Sequence, residues 1–345
     1  MMGRVAGVLD VRQEGAVAAV QELLWYLMEE DIVQGLLVPL QTAPQEAPAP
    51  TLIKNRERLG KANPLAPVMT LNSAKIAALL LAQETGKRLA AVLRPCESRA
   101  LMELARQGRV TLDNLVMVSV DCLGSHAESD YEQRLALWGD QVPVQESLRW
   151  SRRGQIAPYR FRRACQICEK PYFDEASIVV GLFGQELDKQ VLIWVESGLA
   201  DRMGFAQNGW AHPSAPEHLR RREQTIQRLL AQRRRARARL LAELEDSLAR
   251  PADVLAVLSV CTLCGECQKV CPLTLVSDFD IGAYKENKAE YAAARLLEMV
   301  RRSDFCAGCG MCEAVCRADL PLMLLMQLLA ERPQTRSAVR AMLAD

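Results

Sequence analysis

Residues 261–272 read C-T-L-C-G-E-C-Q-K-V-C-P, and residues 306–316 read C-A-G-C-G-M-C-E-A-V-C. Each run sets three cysteines two residues apart and adds a fourth three residues later. Three thiolates at that spacing wrap one face of a 4Fe-4S cubane, and where two runs are paired the fourth cysteine ligates the other run's cluster. The candidate ligands are Cys261, Cys264, Cys267, Cys271, Cys306, Cys309, Cys312 and Cys316. Gly265 gives the backbone freedom to pass close to the sulfurs, and Pro272 ends the first loop. The second run has Arg317 in place of that proline, and its own proline comes only at Pro321. Structural zinc is the competing reading of paired Cys-x-x-C segments. Two complete four-cysteine runs in one chain point instead to iron–sulfur.

The chain has 345 residues and 12 cysteines, so four remain: Cys96, Cys122, Cys165 and Cys168. The N-terminus shows no apolar signal segment, and no apolar run reaches the roughly 18 residues a membrane span needs. A cytoplasmic protein with no transmembrane segment is expected. In such a compartment cysteines serve as metal ligands more often than as disulfides. With 43 basic and 42 acidic residues the net charge is +1, which argues against a nucleic-acid partner.

The first part of the chain alternates helical and strand-like patterns, which predicts an α/β domain. Helices are expected over 15–30, 74–86 and 98–108, and strands over 35–40, 88–93, 114–120, 177–184 and 189–197. The Pro/Ala segment 43–50 reads as a loop. Cys96 and Cys122 each follow a strand, and Cys165 and Cys168 form a C-x-x-C. Loops after neighbouring strands of a parallel sheet converge at its carboxyl edge, where four thiolates could hold a third cluster. The alternatives are zinc, a redox disulfide or simply buried thiols.

Residues 217–249 contain neither proline nor glycine, and the stretch from Arg220 to Arg239 carries nine arginines. They read as a long helix or two stacked ones, serving as a solvated linker or as a docking surface for an acidic partner protein. The expected organisation is an α/β domain over 1–212, an Arg-rich helical linker over 213–250 and a mostly helical domain over 251–345. A strong helical pattern, 286–302, lies between the two cysteine runs. The three histidines, His126, His212 and His218, sit in no catalytic constellation, and no catalytic residue is assigned. His126, four residues after Cys122, is either a donor to a cluster sulfur or an ordinary loop histidine. Lys54, Asn72 and Lys75 are candidates for phosphate contacts, or else for surface solubility and a helix cap.

RRACQICEKPYFDEASIVVGLFG, RPCESRALMEL, DCLGS and GAVAAVQELLWYLMEEDIVQGLLV together resemble segments of the beta subunit family of coenzyme F-420 hydrogenases and dehydrogenases, which includes formate dehydrogenase beta subunits. The resemblance spans about residues 12–200. It implies a flavoprotein-like α/β domain in which Cys96, Cys122, Cys165 and Cys168 hold a 4Fe-4S cluster beside an FAD. The flavin loop of that family, Gly-Gly-x-x-Thr, corresponds here to Glu14-Gly15-Ala16-Val17-Ala18, so Gly15 and Ala16 would face the cofactor while one glycine and the threonine are lost. The C-terminal part resembles the α-helical ferredoxins of heterodisulfide reductase and succinate dehydrogenase small subunits. The implied role is an electron-transfer subunit with three 4Fe-4S clusters and FAD. It would link a two-electron couple to the catalytic subunit of a larger complex, such as a formate dehydrogenase, hydrogenase or heterodisulfide reductase. Two alternatives stand beside it: a flavin-free iron–sulfur adaptor, which the altered loop favours, and a stand-alone flavin-dependent dehydrogenase.

Overall fold

Alternate residues of the central strands face opposite ways, and both faces are covered. The structure is a computed structural model describing residues 3–83, 86–139, 142–153, 161–205, 211–247, 251–276, 279–284, 287–331 and 337. In chain order the first elements are β1 (Arg4–Asp10), α1 (Gly15–Glu29), β2 (Gly35–Leu40), β3 (Ala49–Ile53), α2 (Arg56–Leu59), α3 (Ser73–Gln83), β4 (Leu89–Leu93) and α4 (Pro95–Arg106). They are followed by β5 (Leu115–Val120), α5 (Glu128–Trp138), α6 (Val142–Arg153), α7 (Arg163–Gln166), β6 (Ile178–Gly181), β7 (Gln190–Glu196), α8 (Ser197–Arg202) and β8 (Ala211–Pro213). The eight strands form one sheet in the order β3-β2-β4-β5-β6-β7-β1-β8. Val116, Val118 and Val120 of β5 point into the core beneath α1, whereas Leu115 and Met117 point into the core beneath α3 and α4. A strand covered on both faces reads as a continuous apolar run rather than an alternating one, which is why LAAVL and LVMVSV are legible as strands.

The sheet is mixed rather than parallel. Only β2, β4, β5 and β6 run parallel, while β3, β7, β1 and β8 add on antiparallel. Segment 43–50 is not all loop: Ala49 and Pro50 begin β3 and face Leu40 and Pro39. A proline is tolerated there because β3 is the edge strand and nothing needs its missing N–H. The helix expected from residue 98 begins at Pro95, a residue whose fixed φ suits the first helical position. Cys96 therefore sits in the first turn of α4, not in a loop.

Residues 217–247 belong to a single helix, α9 (Pro216–Ser247), rather than two stacked ones, and residues 248 and 249 lie outside the described residues. It is not a free linker. Ile226, Leu229 and Leu230 pack against Leu123, Phe161 and Phe183, and farther along Leu241 packs with Ala164, Ile167, Met323 and Leu324. Each fully buried aliphatic side chain stabilises such a contact by about 1.5–3 kcal/mol. Arg222 is 7% exposed and grips Asp121 through Nε and Nη2, at 2.9 and 2.7 Å.

The α-helices that follow are α10 (Pro251–Ser259), α11 (Glu266–Val270), α12 (Lys288–Arg302), α13 (Met311–Ala314) and α14 (Leu322–Glu331). Helices α10, α12 and α14 enclose a core containing Leu258, Leu296, Val300 and Leu325, against which Cys261, Cys267, Cys312 and Cys316 pack. The expected helix 286–302 starts at Lys288, capped by the Asn287 side chain, which accepts from Glu290 N–H at 3.1 Å; Glu286 lies outside the described residues. Among the described residues no helix is long and apolar enough to cross a membrane.

Candidate metal centre

The parallel strands end at one edge, and the cysteines of the α/β part gather there. Cys96 opens α4 after β4, and Cys122 follows β5, its N–H bonded to Pro171 O at 2.8 Å. Cys165 lies in α7 and Cys168 just beyond it. All four line one small cavity, and its wall is completed from the far end of the chain by Gly308 and Cys309. Arg94, Arg162 and Arg233 line it too. Arg233 donates to the carbonyls of Cys168, at 2.8 Å, and of Leu123.

The eight C-terminal cysteines divide into two further sets that exchange members. Cys306, Cys309 and Cys312 lie in the electrostatic neighbourhood of Cys271, from the first run. Cys261 and Cys264 surround Cys267 together with Cys316, from the second run. Cys96 in turn faces Cys309. The order is an N-terminal set, a middle set (Cys271, Cys306, Cys309, Cys312) and a distal set (Cys261, Cys264, Cys267, Cys316). Gly310, in the left-handed region at φ 67°, allows close contact between the first two: a Cβ there would stand 2.3 Å from Ala164 Cβ. Arg163 joins the same two parts through Glu313, at 3.0 Å.

The residues around the sulfurs fit an anionic group. Burial pushes the Cys122 thiol up to about 11 and the Cys309 thiol up to about 12, and raises Cys96 and Cys312 well above the ordinary thiol range. Such thiols stay protonated at neutral pH until a metal displaces the proton. Backbone N–H groups already point at sulfur: Leu263 at Cys261 and Leu320 at Cys316, both at 3.4 Å, with Gly308 serving Cys306 and Met311 serving Cys309. Arg302 Nη2 lies 3.3 Å from Cys271 Sγ, and the Tyr291 hydroxyl lies 3.3 Å from Cys261 Sγ. Donors of this kind stabilise ligated sulfur and tune its potential. The Cys264 thiol is lowered by the Glu266 N–H and the Thr262 hydroxyl. Among the described residues no three Cys, His, Asp or Glu groups converge on a single metal ion.

The flavin candidates are differently placed. Ala16 is buried in the core under the sheet. Asn72 is buried, and its Oδ1 accepts from Ala74 N–H at 3.0 Å, so it is a helix cap. Lys75 Nζ donates to Lys269 O at 2.6 Å, tying α3 to the cysteine-bearing part. Lys54 is exposed, and Gly15 opens α1 at φ 87° with open space where a Cβ would stand. Backbone donors at this edge are taken by the chain's own carboxylates. Glu97, fully buried, accepts from Ser73 N–H at 2.8 Å and Arg94 N–H at 2.7 Å. Asp121 accepts from Leu182 N–H at 3.1 Å. His126 is buried against the Phe161 ring. Arg233, Arg295 and Arg302 escaped the sequence reading because they come from α9 and α12, far along the chain from Cys168, Cys267 and Cys271, whereas Arg162 lies only three residues before Cys165 and carries no spacing signal of its own.

Residues 257–320 match the family model described as a 4Fe-4S dicluster domain. The chain is an iron–sulfur protein. It is 23% identical over 344 residues to the F420-dependent formate dehydrogenase subunit beta of Methanocaldococcus jannaschii, an alignment covering 90% of this chain and 88% of that one. It is 30% identical over 108 residues to the F420-dependent formate dehydrogenase 1 subunit beta of Methanococcus maripaludis, covering 31% and 27%. Among solved structures, a chain of the F420-reducing [NiFe] hydrogenase complex from Methanosarcina barkeri aligns with a TM-score of 0.46 and 11% identity, over 68% of this chain and 91% of that one. The dicluster match takes in all eight cysteines of the two C-terminal runs, whereas the other four cysteines of this iron–sulfur protein lie outside it.

Proposed function

We propose that this iron–sulfur protein is a beta-type electron-transfer subunit carrying three 4Fe-4S clusters in line. Cys96, Cys122, Cys165 and Cys168 would hold the first, the middle set the second and the distal set the third. The observation that carries the reading is the shared cavity: Cys309 of the middle set stands in the wall around the N-terminal cysteines. When bound, such clusters supply one-electron storage and transfer. The chain's residues fix the sulfurs, exclude water through Ala164 and Phe161, and set the local potential with arginines and N–H donors. The α/β part to residue 212, the segment 213–250 that contains α9 and the cysteine-rich part from 251 act as one support. The likeness to formate dehydrogenase beta subunits supports a catalytic subunit of that kind, or of a hydrogenase, as partner.

The flavin-free version is the one the residues favour. Asn72, Lys75 and Ala16 are committed to internal structure, and Glu97 and Asp121 hold backbone donors a pyrophosphate would need. Anaerobically purified protein should carry about 12 iron and about 12 sulfide per chain. Cys168→Ser should lose about a third of both, and incubation with FAD should leave no bound flavin after gel filtration. About eight iron in the unaltered chain would refute the third cluster, and retained stoichiometric FAD would refute the flavin-free reading.

A further inference from the structure

Two arginines stand at the two junctions between the cysteine sets. Arg162, just before α7, places Nη1 3.0 Å from Met311 Sδ, and Nη2 3.7 Å from Met69 Sδ and 3.9 Å from Cys165 Sγ. The sulfurs whose charge it would offset once they are ligated are those of Cys165 and Cys96, from the N-terminal set, and Cys309, from the middle set. It also lines the cavity those sets share. Arg295, on α12 and 8% exposed, places Nη2 3.9 Å from Cys267 Sγ of the distal set and acts on Cys312 of the middle set. Its guanidinium lies 5.7 Å from the Phe279 ring centroid.

Neighbouring arginines are paired differently. Arg163 meets Glu313 at 3.0 Å and Arg302 meets Glu298 at 3.5 Å. Neither Arg162 nor Arg295 has a carboxylate partner among the described residues, and the Nε of each lacks a hydrogen-bond partner there. An inward-facing cation without a counter-charge is costly. Four thiolates around a 4Fe-4S core leave a site net negative, and each added electron makes it more so. A cation shared by two such sites offsets that charge on both, and in a protein interior the attraction is far stronger than in water.

We propose that Arg162 and Arg295 are junction residues that raise the reduction potentials of the two cluster sites each one faces, so that adjoining sites can be reduced together. The inference rests on the three-cluster reading above. In each transfer one electron leaves a reduced site and arrives at the next. No bond is made or broken, and the arginine neither gains nor loses a proton. The first electron comes from the partner dehydrogenase or, in the test, from dithionite.

The test is a redox titration followed by electron paramagnetic resonance on the full-length, cluster-loaded chain. Cys168→Ser marks the signal of the N-terminal site. Arg162→Met should shift the oxidised-to-reduced ratio at fixed potential about tenfold toward oxidised, or 59 mV for a one-electron couple. The shift should appear at the N-terminal and middle sites and spare the distal one. Arg295→Met should shift the middle and distal sites and spare the N-terminal one. Arg162→Lys and Arg295→Lys, which keep the charge, should shift them less. Unchanged potentials, a shift at one site only, or an equal shift at all three would overturn the proposal. If the Met variants load poorly by iron and sulfide analysis, Gln variants replace them. Neutral variants that all lose their clusters, beside Lys variants that load with altered potentials, would make the arginines structural and also overturn it. Iron well below 12 in the unaltered chain would instead overturn the three-cluster reading.

Discussion

Arg233, Arg234 and Arg235 are consecutive in sequence, yet they occupy three environments. Arg233 is 2% exposed and holds the carbonyls of Cys168 and Leu123. Arg234 pairs with Glu169 at 3.0 Å on the surface, and Arg235 is exposed. Reversing all three charges would therefore damage a cysteine site as well as any docking surface. Arg233→Glu alone should place an uncompensated anion beside the N-terminal cysteines and destabilise the fold by about 3–5 kcal/mol, the usual cost of breaking a buried charged arrangement. The expected outcome is a lower thermal midpoint together with loss of about four iron per chain. Arg235→Glu with Arg239→Glu, both at exposed positions, is the sound test of docking. Assembly with an acidic partner should weaken and become less salt-sensitive, with iron content unchanged. Asp121→Asn breaks the buried pair with Arg222 and should lower stability by a similar 3–5 kcal/mol or so in a denaturant titration.

At the level of elements, Gly310, just before α13, comes up against Ala164 of α7. Gly310→Ala would drive a Cβ to 2.3 Å from that of Ala164 from a left-handed backbone. The cost should be about 1–3 kcal/mol from overpacking alone, read as faster cluster loss in air. Such a joint could not be seen in the sequence, because Ala164 and Gly310 look like ordinary small residues until the fold brings them together. The same reason hid β1 and β8. Arg4–Asp10 is short, carries a charge at each end and is interrupted by Gly7, and its partner Gln190–Glu196 lies far along the chain. Strands buried on both faces, such as β2, β4 and β5, were legible because no residue in them has to tolerate water. The cysteine runs were legible because ligand spacing is local. The arginines around them were not, because a guanidinium reaches a sulfur from any helix that passes near. The long helix α9 was legible as a helix, but its role was hidden, since nine arginines mask the Ile226, Leu229 and Leu230 stripe that fastens it.

Across the whole molecule, the two halves depend on metal to different degrees. The sheet has cores on both faces that owe little to cysteine, whereas the core of α10, α12 and α14 is packed directly against four of the sulfurs. Stripping the clusters with a chelator and oxidant should therefore melt α10–α14 and leave the sheet. Hydrogen exchange would then show fast exchange after residue 251 and slow exchange in β4 and β5. Because Leu241 of α9 shares a core with Met323 and Leu324, a cluster-loaded fragment starting at Pro216 should be more heat-stable than one starting at Ala252. The exchange of fourth cysteines has a consequence for how the protein is made. The N-terminal set is complete once Cys168 has left the ribosome. The distal set waits for a residue from the opposite run, Cys316, whereas the middle set already holds its borrowed Cys271 and waits only for its own run to end at Cys312. On the three-cluster reading proposed above, iron could enter the N-terminal site early, whereas the other two sites become fillable almost at the same moment.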